Sequence, residues 1–194
     1  MYTKSKETTQ SILDAARALF TERQFAAVTI NDIAAHCNIS KGALYHHFSG
    51  KEDIYLNMMH HSLAHIKELS ERAMAESQGS CRERLHASIL DFLQLPDELL
   101  RVLGLVRRDI NIFEDPIRTE LIQAYQEAIP LLVEAIIQEG IDAGDVKPID
   151  ARLLTRQTVA LVEVALHPYS RRQIGDSQAM ATYVVDILFD GIAN

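Results

Sequence analysis

The segment TINDIAAHCNISKGALYHHFSGK, Thr29 to Lys51, constrains this chain more than any other, because two short helical patterns and one tight turn are packed into it. Thr29 followed three residues later by Asp32 is a capping-box start, a hydroxyl and a carboxylate that each satisfy an orphan amide. The helix it opens would turn Ile33 and Ala34 inward and stop near Cys37-Asn38-Ile39, since Asn tolerates the left-handed backbone that a sharp turn demands. Ile39 can fill the corner. Ser40 is a good N-cap for a second helix, in which Leu44 and Phe48, four apart, form the buried edge. The pattern is that of a helix-turn-helix.

The opposite face of the second helix shows Lys41, Gly42, Ala43, Tyr45 and His46. Gly42 and Ala43 keep side-chain bulk low in the first turn, where a helix could approach the floor of a major groove. Lys41, Tyr45, His47 and Lys51 are donors suited to phosphate oxygens. The plain alternative is a small helical hairpin with a solvated face, and helix-turn-helix patterns do produce false matches.

These residues resemble the TetR-type (AcrR-like) transcriptional regulators, whose N-terminal domain carries T-x-x-x-I-A-x-x-x-x-x-S-x-G-x-L-Y-x-H-F-x-x-K-E. Here it stands as Thr29, Ile33-Ala34, Ser40, Gly42, Leu44-Tyr45, His47-Phe48 and Lys51-Glu52. The upstream ILDAARALFTERQFAAVTI, Ile12 to Ile30, is similar to the family's first helix and the loop after it. The turn departs from the family in carrying Cys37-Asn38 where Ala-Gly is commoner, and His46 stands at a variable position, which leaves the operator sequence open. The resemblance implies an all-α protein. A three-helix DNA-binding domain at 1–51, with Thr29, Lys41, Gly42, Ala43, Tyr45, His46, His47 and Lys51 at the DNA, would precede an effector-binding and dimerisation domain at 52–194.

Length and composition agree, since 194 residues with 47% hydrophobic content can build a core in one or two domains. The start MYTKSKETTQ is polar and no run approaches eighteen apolar residues, so neither a secretory signal nor a membrane span is expected and the location is read as cytoplasmic. Cys37 and Cys81 are isolated thiols without CxxC spacing, which argues against a disulfide framework and leaves a redox sensor as a minor alternative. The net charge of −8 divides unevenly: residues 1–51 hold six Lys or Arg against four acids, or +2, and the remainder carries −10. A basic head is drawn to phosphates and an acidic body repelled, which orients the molecule and limits non-specific binding.

The chain otherwise reads as helix after helix, about nine in all, with no alternation long enough for a strand. The first runs from about Ser5 to Glu22, with Ile12, Ala16, Leu19 and Phe20 as its apolar stripe, and a long fourth from Glu52 to Met74. Helices then span Arg82 to Gln94 and Asp97 to Ile112. Asp115-Pro116 opens another, running to Ala143 with a kink at Pro130. Asp150 to His167 and Ser177 to Ile192 complete the set, separated by Pro168 and the polar Ser170 to Asp176 segment.

Those last two helices are apolar on more than one face, through Leu153, Leu154, Val159, Leu161, Val162, Val164 and Leu166, and through Met180, Val184, Val185, Ile187, Leu188, Phe189 and Ile192. Burial inside the subunit is one reading. A homodimer through a four-helix bundle is the sharper one, and the family resemblance implies it. Paired recognition helices would then read a near-palindromic operator on double-stranded DNA.

The resemblance also implies an unknown small-molecule effector in the C-terminal domain. Polar groups in apolar helices are the natural lining: Arg107, Asp109, Tyr125 and Glu163, with Phe92, Leu103, Phe113 and Ile129 as apolar wall. For each, a surface charge, an intrachain salt bridge or core packing is the simpler reading and is favoured. His61 and His65, at i and i+4, with His60 beside them, could share a divalent metal, but no Cys, Asp or Glu completes a shell on that face within the next turn, although Glu68 and Glu71 are near, and solvated histidines are favoured. No glycine-rich phosphate loop, G-x-S-x-G or HExxH is present, so neither catalysis, a cofactor nor a resident metal is expected. The sequence reads as a dimeric repressor released by an effector, with coupling through the fourth helix. The alternatives are control by a metal or protein partner, and activation in place of repression.

Overall fold

The computed structural model describes residues 2–191, with side chains from Ser5 onward, and every regular element among them is helical. Helix α1 (Tyr2–Glu22) leads through a 3₁₀ turn at Phe25–Ala27 to α2 (Ile30–His36). The capping box is formed: the Asp32 amide donates to Thr29 Oγ1 at 3.2 Å and the Thr29 amide to Asp32 Oδ2 at 2.8 Å. Hydrogen bonds from the Thr29 hydroxyl and amide hold the Asp32 carboxyl below its ordinary range. Helix α3 (Lys41–His47) starts at Ser40, whose Oγ accepts from the Ala43 amide at 3.1 Å. Helix α4 (Lys51–Glu76) begins where Asp53 accepts from the Ser49 amide and hydroxyl.

A second capping box, Ser80 with Glu83, opens α5 (Cys81–Leu93). Helix α6 (Asp97–Asp109) runs into a 3₁₀ turn at Ile110–Ile112, followed by α7 (Ile117–Ala128) and α8 (Pro130–Ala143). Gly144, at φ 84°, ends α8 in the left-handed conformation that glycine adopts without a Cβ clash. Asp150 caps α9 (Ala151–Leu166), α10 (Pro168–Ile174) follows, and Asp176 caps α11 (Ser177–Phe189).

Three expectations need correction. Pro130 does not kink one long helix; it separates α7 from α8, with Ile129 at φ −142° and ψ −57° between them. The pyrrolidine ring crowds the preceding residue out of the α region, so the break falls at Ile129 and Pro130 becomes the first residue of a new helix, where its missing N–H is no loss. The polar stretch after Pro168 is itself helix α10, with Pro168 in its first turn and His167 Nδ1 accepting from the Tyr169 amide at 3.3 Å. The described residues therefore hold eleven α-helices, where nine were expected. The last helix ends at Phe189, and Ile192 lies outside the described residues.

The helices form two compact units. The first comprises the chain up to His65 together with Pro96–Tyr125, the second Ile66–Leu95 together with the chain from Gln126 onward, and α4 contributes residues to both. In the first unit α1 packs on α2 and α6, and Ile12, Phe20, Ile33, Leu44, Ile54 and Tyr55 are fully buried. In the second, α5 is shared by two clusters. Ile89 and Leu93 meet Val162, Ala165, Met180 and Val184 of α9 and α11. On the other side Cys81 and Leu85 meet Val133, Ile136 and Ile137 of α8.

Candidate nucleic-acid interface

The angle between α2 and α3 is set by the backbone at Cys37-Asn38-Ile39. Asn38 adopts φ 55°, the Ile39 amide donates to the Ala34 carbonyl at 3.0 Å and the Asn38 amide to the Ala35 carbonyl at 3.1 Å. That pair of bonds is a Schellman ending, which satisfies the last carbonyls of α2 and reverses the chain. Ile33, Ala34, Leu44 and Phe48 are buried beneath the turn, so the two helices are held by one small core. The face opposite that core is presented outward.

On that face Lys41, Gly42, Tyr45 and His46 are exposed, Tyr45 to 48%, and Ala43 is half-buried. The Lys41 ammonium lies 5.8 Å from the Tyr45 ring centroid. The fold itself does not demand a glycine at 42, since a Cβ there would meet only Ser40 Oγ at 3.9 Å, ordinary contact.

Three further candidates carry bonds within the fold. The Thr29 hydroxyl donates to Asp32 Oδ2 at 2.7 Å as part of the α2 cap. The Thr9 hydroxyl donates its one hydrogen to the Ser5 carbonyl at 3.0 Å, so at 3.1 Å it accepts from His47 Nδ1, which ties α3 to α1. The Lys51 ammonium donates to the Phe25 carbonyl at 2.8 Å and stands 4.2 Å over the Phe25 ring.

Below Lys51 the rings of Phe20, Phe25, Tyr55 and Phe113 pack at centroid distances of 5.0 to 5.6 Å. Asp109, 2% exposed, borders this cluster and accepts from the Tyr55 hydroxyl at 3.2 Å and from Arg108 Nε at 2.8 Å. Burial first, and the Asp109 charge second, push the Tyr55 hydroxyl up, so it remains a donor. The same Arg108 guanidinium donates to the Phe20 carbonyl at 2.8 Å and the Arg23 carbonyl at 3.1 Å. Sequence reasoning singled out Arg107 and Asp109 and passed over Arg108. The signal was present: Val102, Leu105, Val106 and Asp109 form one buried stripe, and a carboxylate on such a stripe requires a cation beside it. Thr9 gave no comparable signal, because nothing local to it points to His47.

The eight residues named as a lining for an effector do not share one setting. Asp109 and Phe113 belong to the buried cluster just described, with Leu103 and Tyr125 half-buried and Arg107 exposed in the same unit. In the second unit Phe92 packs on the α5–α9–α11 core, Ile129 on the α5–α8 core, and Glu163 is half-buried. The second unit also carries a depression of about 710 Å³ bounded by Val164, Tyr169, Ile174, Thr182 and Tyr183, which none of the eight residues lines.

His60, His61 and His65 are exposed, and His60 Nε2 lies 4.0 Å from Glu120. Among the described residues no three His, Cys, Asp or Glu side chains are grouped to hold a metal ion. Burial pushes the Cys37 thiol up, and its Sγ donates to the Ser11 carbonyl at 3.4 Å, the opposite of the stabilised thiolate a redox sensor uses. Among the described residues no helix is long and apolar enough to cross a membrane.

Residues 12–58 match the family described as bacterial regulatory proteins, tetR family. The chain is 26% identical over 142 residues to YhgD, an HTH-type transcriptional regulator of Bacillus subtilis (strain 168), with 73% of each chain covered. Its fold resembles that of the transcriptional regulator FadR from Bacillus subtilis, solved in complex with stearoyl-CoA, at a TM-score of 0.78 and 20% identity over 95% of this chain and 99% of that one. It also resembles AibR, solved with isovaleryl coenzyme A and operator DNA, at a TM-score of 0.78 and 18% identity over 94% and 98%. The helix-turn-helix region at residues 12–58 is thus of the tetR family, and it stands on an all-helical fold shared with these regulators.

Proposed function

We propose that the chain is a dimeric repressor that binds a near-palindromic operator through α3 and is released by a small-molecule effector. The observation that carries the DNA contact is the outward face of α3. Its first turn lacks side-chain bulk where packing does not require that lack, and Lys41, Tyr45 and His46 flank it. Residues 1–51 would act as the DNA-reading part and 52–194 as the effector-binding and dimerising part, with the protein working in the cytoplasm and by binding, not catalysis. Lys41, Gly42, Ala43, Tyr45 and His46 would meet DNA directly. Thr29, His47 and Lys51 would contribute while also holding the head together.

The dimer reading rests on α9 and α11. Leu153 and Val164 are each 58% exposed and Tyr183 44%, an apolar face on helices whose other face is already core. Sedimentation at micromolar concentration should show a dimer, and a monomer there would remove the paired-head mechanism.

For the effector, the acyl-CoA thioesters held by FadR and AibR make that class the first probe. A duplex enriched from a random library by the wild-type protein supplies the operator. Lys41→Ala should lower the slope of log affinity against log salt by about 1, as loss of one phosphate contact does. Tyr45→Ala should weaken binding about tenfold with far-UV circular dichroism unchanged. Unaltered binding by both variants would sink the assignment of α3 as the reading helix. Adding stearoyl-CoA or isovaleryl-CoA to the same assay tests release.

A further inference from the structure

The carbonyls that follow α1 are gripped from two directions by cations of other elements. Helix α1 ends at Glu22, and the connection to α2 leaves the carbonyls of Phe20 and Arg23 past the reach of its backbone bonds, while that of Phe25 accepts the Val28 amide only at 3.4 Å. Arg108, from the last turn of α6, donates to the first two, and Lys51, from the first turn of α4, donates to the third. Neither cation is a surface ornament. Arg108 is fixed in place by Asp109, which is buried and held in turn by the Tyr55 hydroxyl of α4, and the rings of Phe20, Phe25, Tyr55 and Phe113 fill the space beneath. A guanidinium suits the task because its fork of donors can serve two carbonyls and a carboxylate at once, which an ammonium cannot do in the same geometry.

We propose that Arg108 is a positioning residue for operator binding: it fastens the helix-turn-helix head to α6, so that the head moves with α6 as well as with α4. The proposal rests on the paired-head reading above. When two heads bind one duplex, the second contact is intramolecular, and its effective concentration depends on how well the spacing of the heads matches the DNA. A head released from α6 keeps its own reading surface, because Lys41, Tyr45 and His46 do not touch Arg108. What it loses is the fixed spacing. The consequence is selective: binding to a complete operator weakens, and binding to a single half-site does not.

The test uses the full-length protein, the enriched duplex and the same duplex with one half scrambled, with affinities read by fluorescence anisotropy. Arg108→Met should lose about tenfold or more on the complete duplex and less than about threefold on the scrambled one, with wild-type far-UV circular dichroism. Should Arg108→Met fail to fold because Asp109 is stranded, Arg108→Met/Asp109→Asn removes the charge as well and should show the same split. Asp109→Asn alone, which leaves both carbonyl bonds available to Arg108, should fall between wild type and Arg108→Met on the complete duplex. Equal losses on the two duplexes, or none on either, overturn the role of Arg108 and leave the dimer reading standing. Wild-type protein that binds both duplexes equally overturns the paired-head reading, and this proposal with it.

Discussion

Phe20→Ala is expected to lower stability by about 4 kcal/mol, the loss typical of an aromatic ring removed from a packed core. Phe20 has no exposed surface, and its ring stands 5.0 Å from Tyr55 and 5.6 Å from Phe25. The Tyr55 ring is held at its hydroxyl by Asp109 and the Phe25 backbone at its carbonyl by Lys51, so neither residue can collapse freely into the hole. A cavity that stays open adds its own cost to the lost transfer energy, which places the loss above that of an exposed phenylalanine. In thermal unfolding followed by circular dichroism, the midpoint should fall by about 10 °C for a chain of this length. Operator affinity should fall with it, since the carbonyl of the same residue anchors Arg108. A midpoint within about 2 °C of wild type would mean that the cluster repacks without strain.

The second large effect is expected where α5 crosses α8. Gly140 is buried, and a Cβ at that position would lie 2.5 Å from Cys81 Cβ and 2.7 Å from Cys81 Sγ. Two opposed terms decide the outcome of Gly140→Ala. Helix propensity favours alanine by about 1 kcal/mol, but a contact this short against an atom attached directly to the backbone forces the helices apart, at about 3 kcal/mol. The Cys81 amide and thiol are also engaged, with Asp145 and the Ile136 carbonyl, so the first turn of α5 cannot slide to make room. The net prediction is a loss of about 2 kcal/mol, seen as a midpoint lowered by about 6 °C. A midpoint equal to or above wild type would show that propensity wins and that the crossing is looser than this geometry.

Much of the head was legible because its determinants are local. Thr29 with Asp32, Asn38 in the turn and Ser40 at the start of α3 each act on backbone within a few residues, and each is seen in the structure performing that local task. Pro130 was legible as a disturbance but not as a break. Whether a proline bends a helix or ends it depends on whether neighbouring packing holds the preceding residue in the α region, and Ile129 is not so held. Helix α10 was missed for a related reason: seven polar-rich residues have weak periodicity, and their helical state comes from a proline first turn and a histidine cap. Among the candidate contacts, Lys51 and Arg107 read alike as basic residues near polar work. Only the arrival of the Phe25 carbonyl distinguishes Lys51, and only the placement of α6 brings Arg108 to the Phe20 and Arg23 carbonyls.

The order of residues alone determines that this chain is helical, that a helix-turn-helix stands at Thr29 to Lys51, and that its charge divides between a basic head and an acidic remainder, because capping, turn geometry and charge are properties of neighbours in sequence. Tertiary structure decides which of those helices end where they do, that α6 belongs with the head, and that Arg108 bridges residues 85 and 88 positions away. Contacts across such separations depend on the angle and rotation of whole helices, which are set jointly by every buried side chain and by no local pattern.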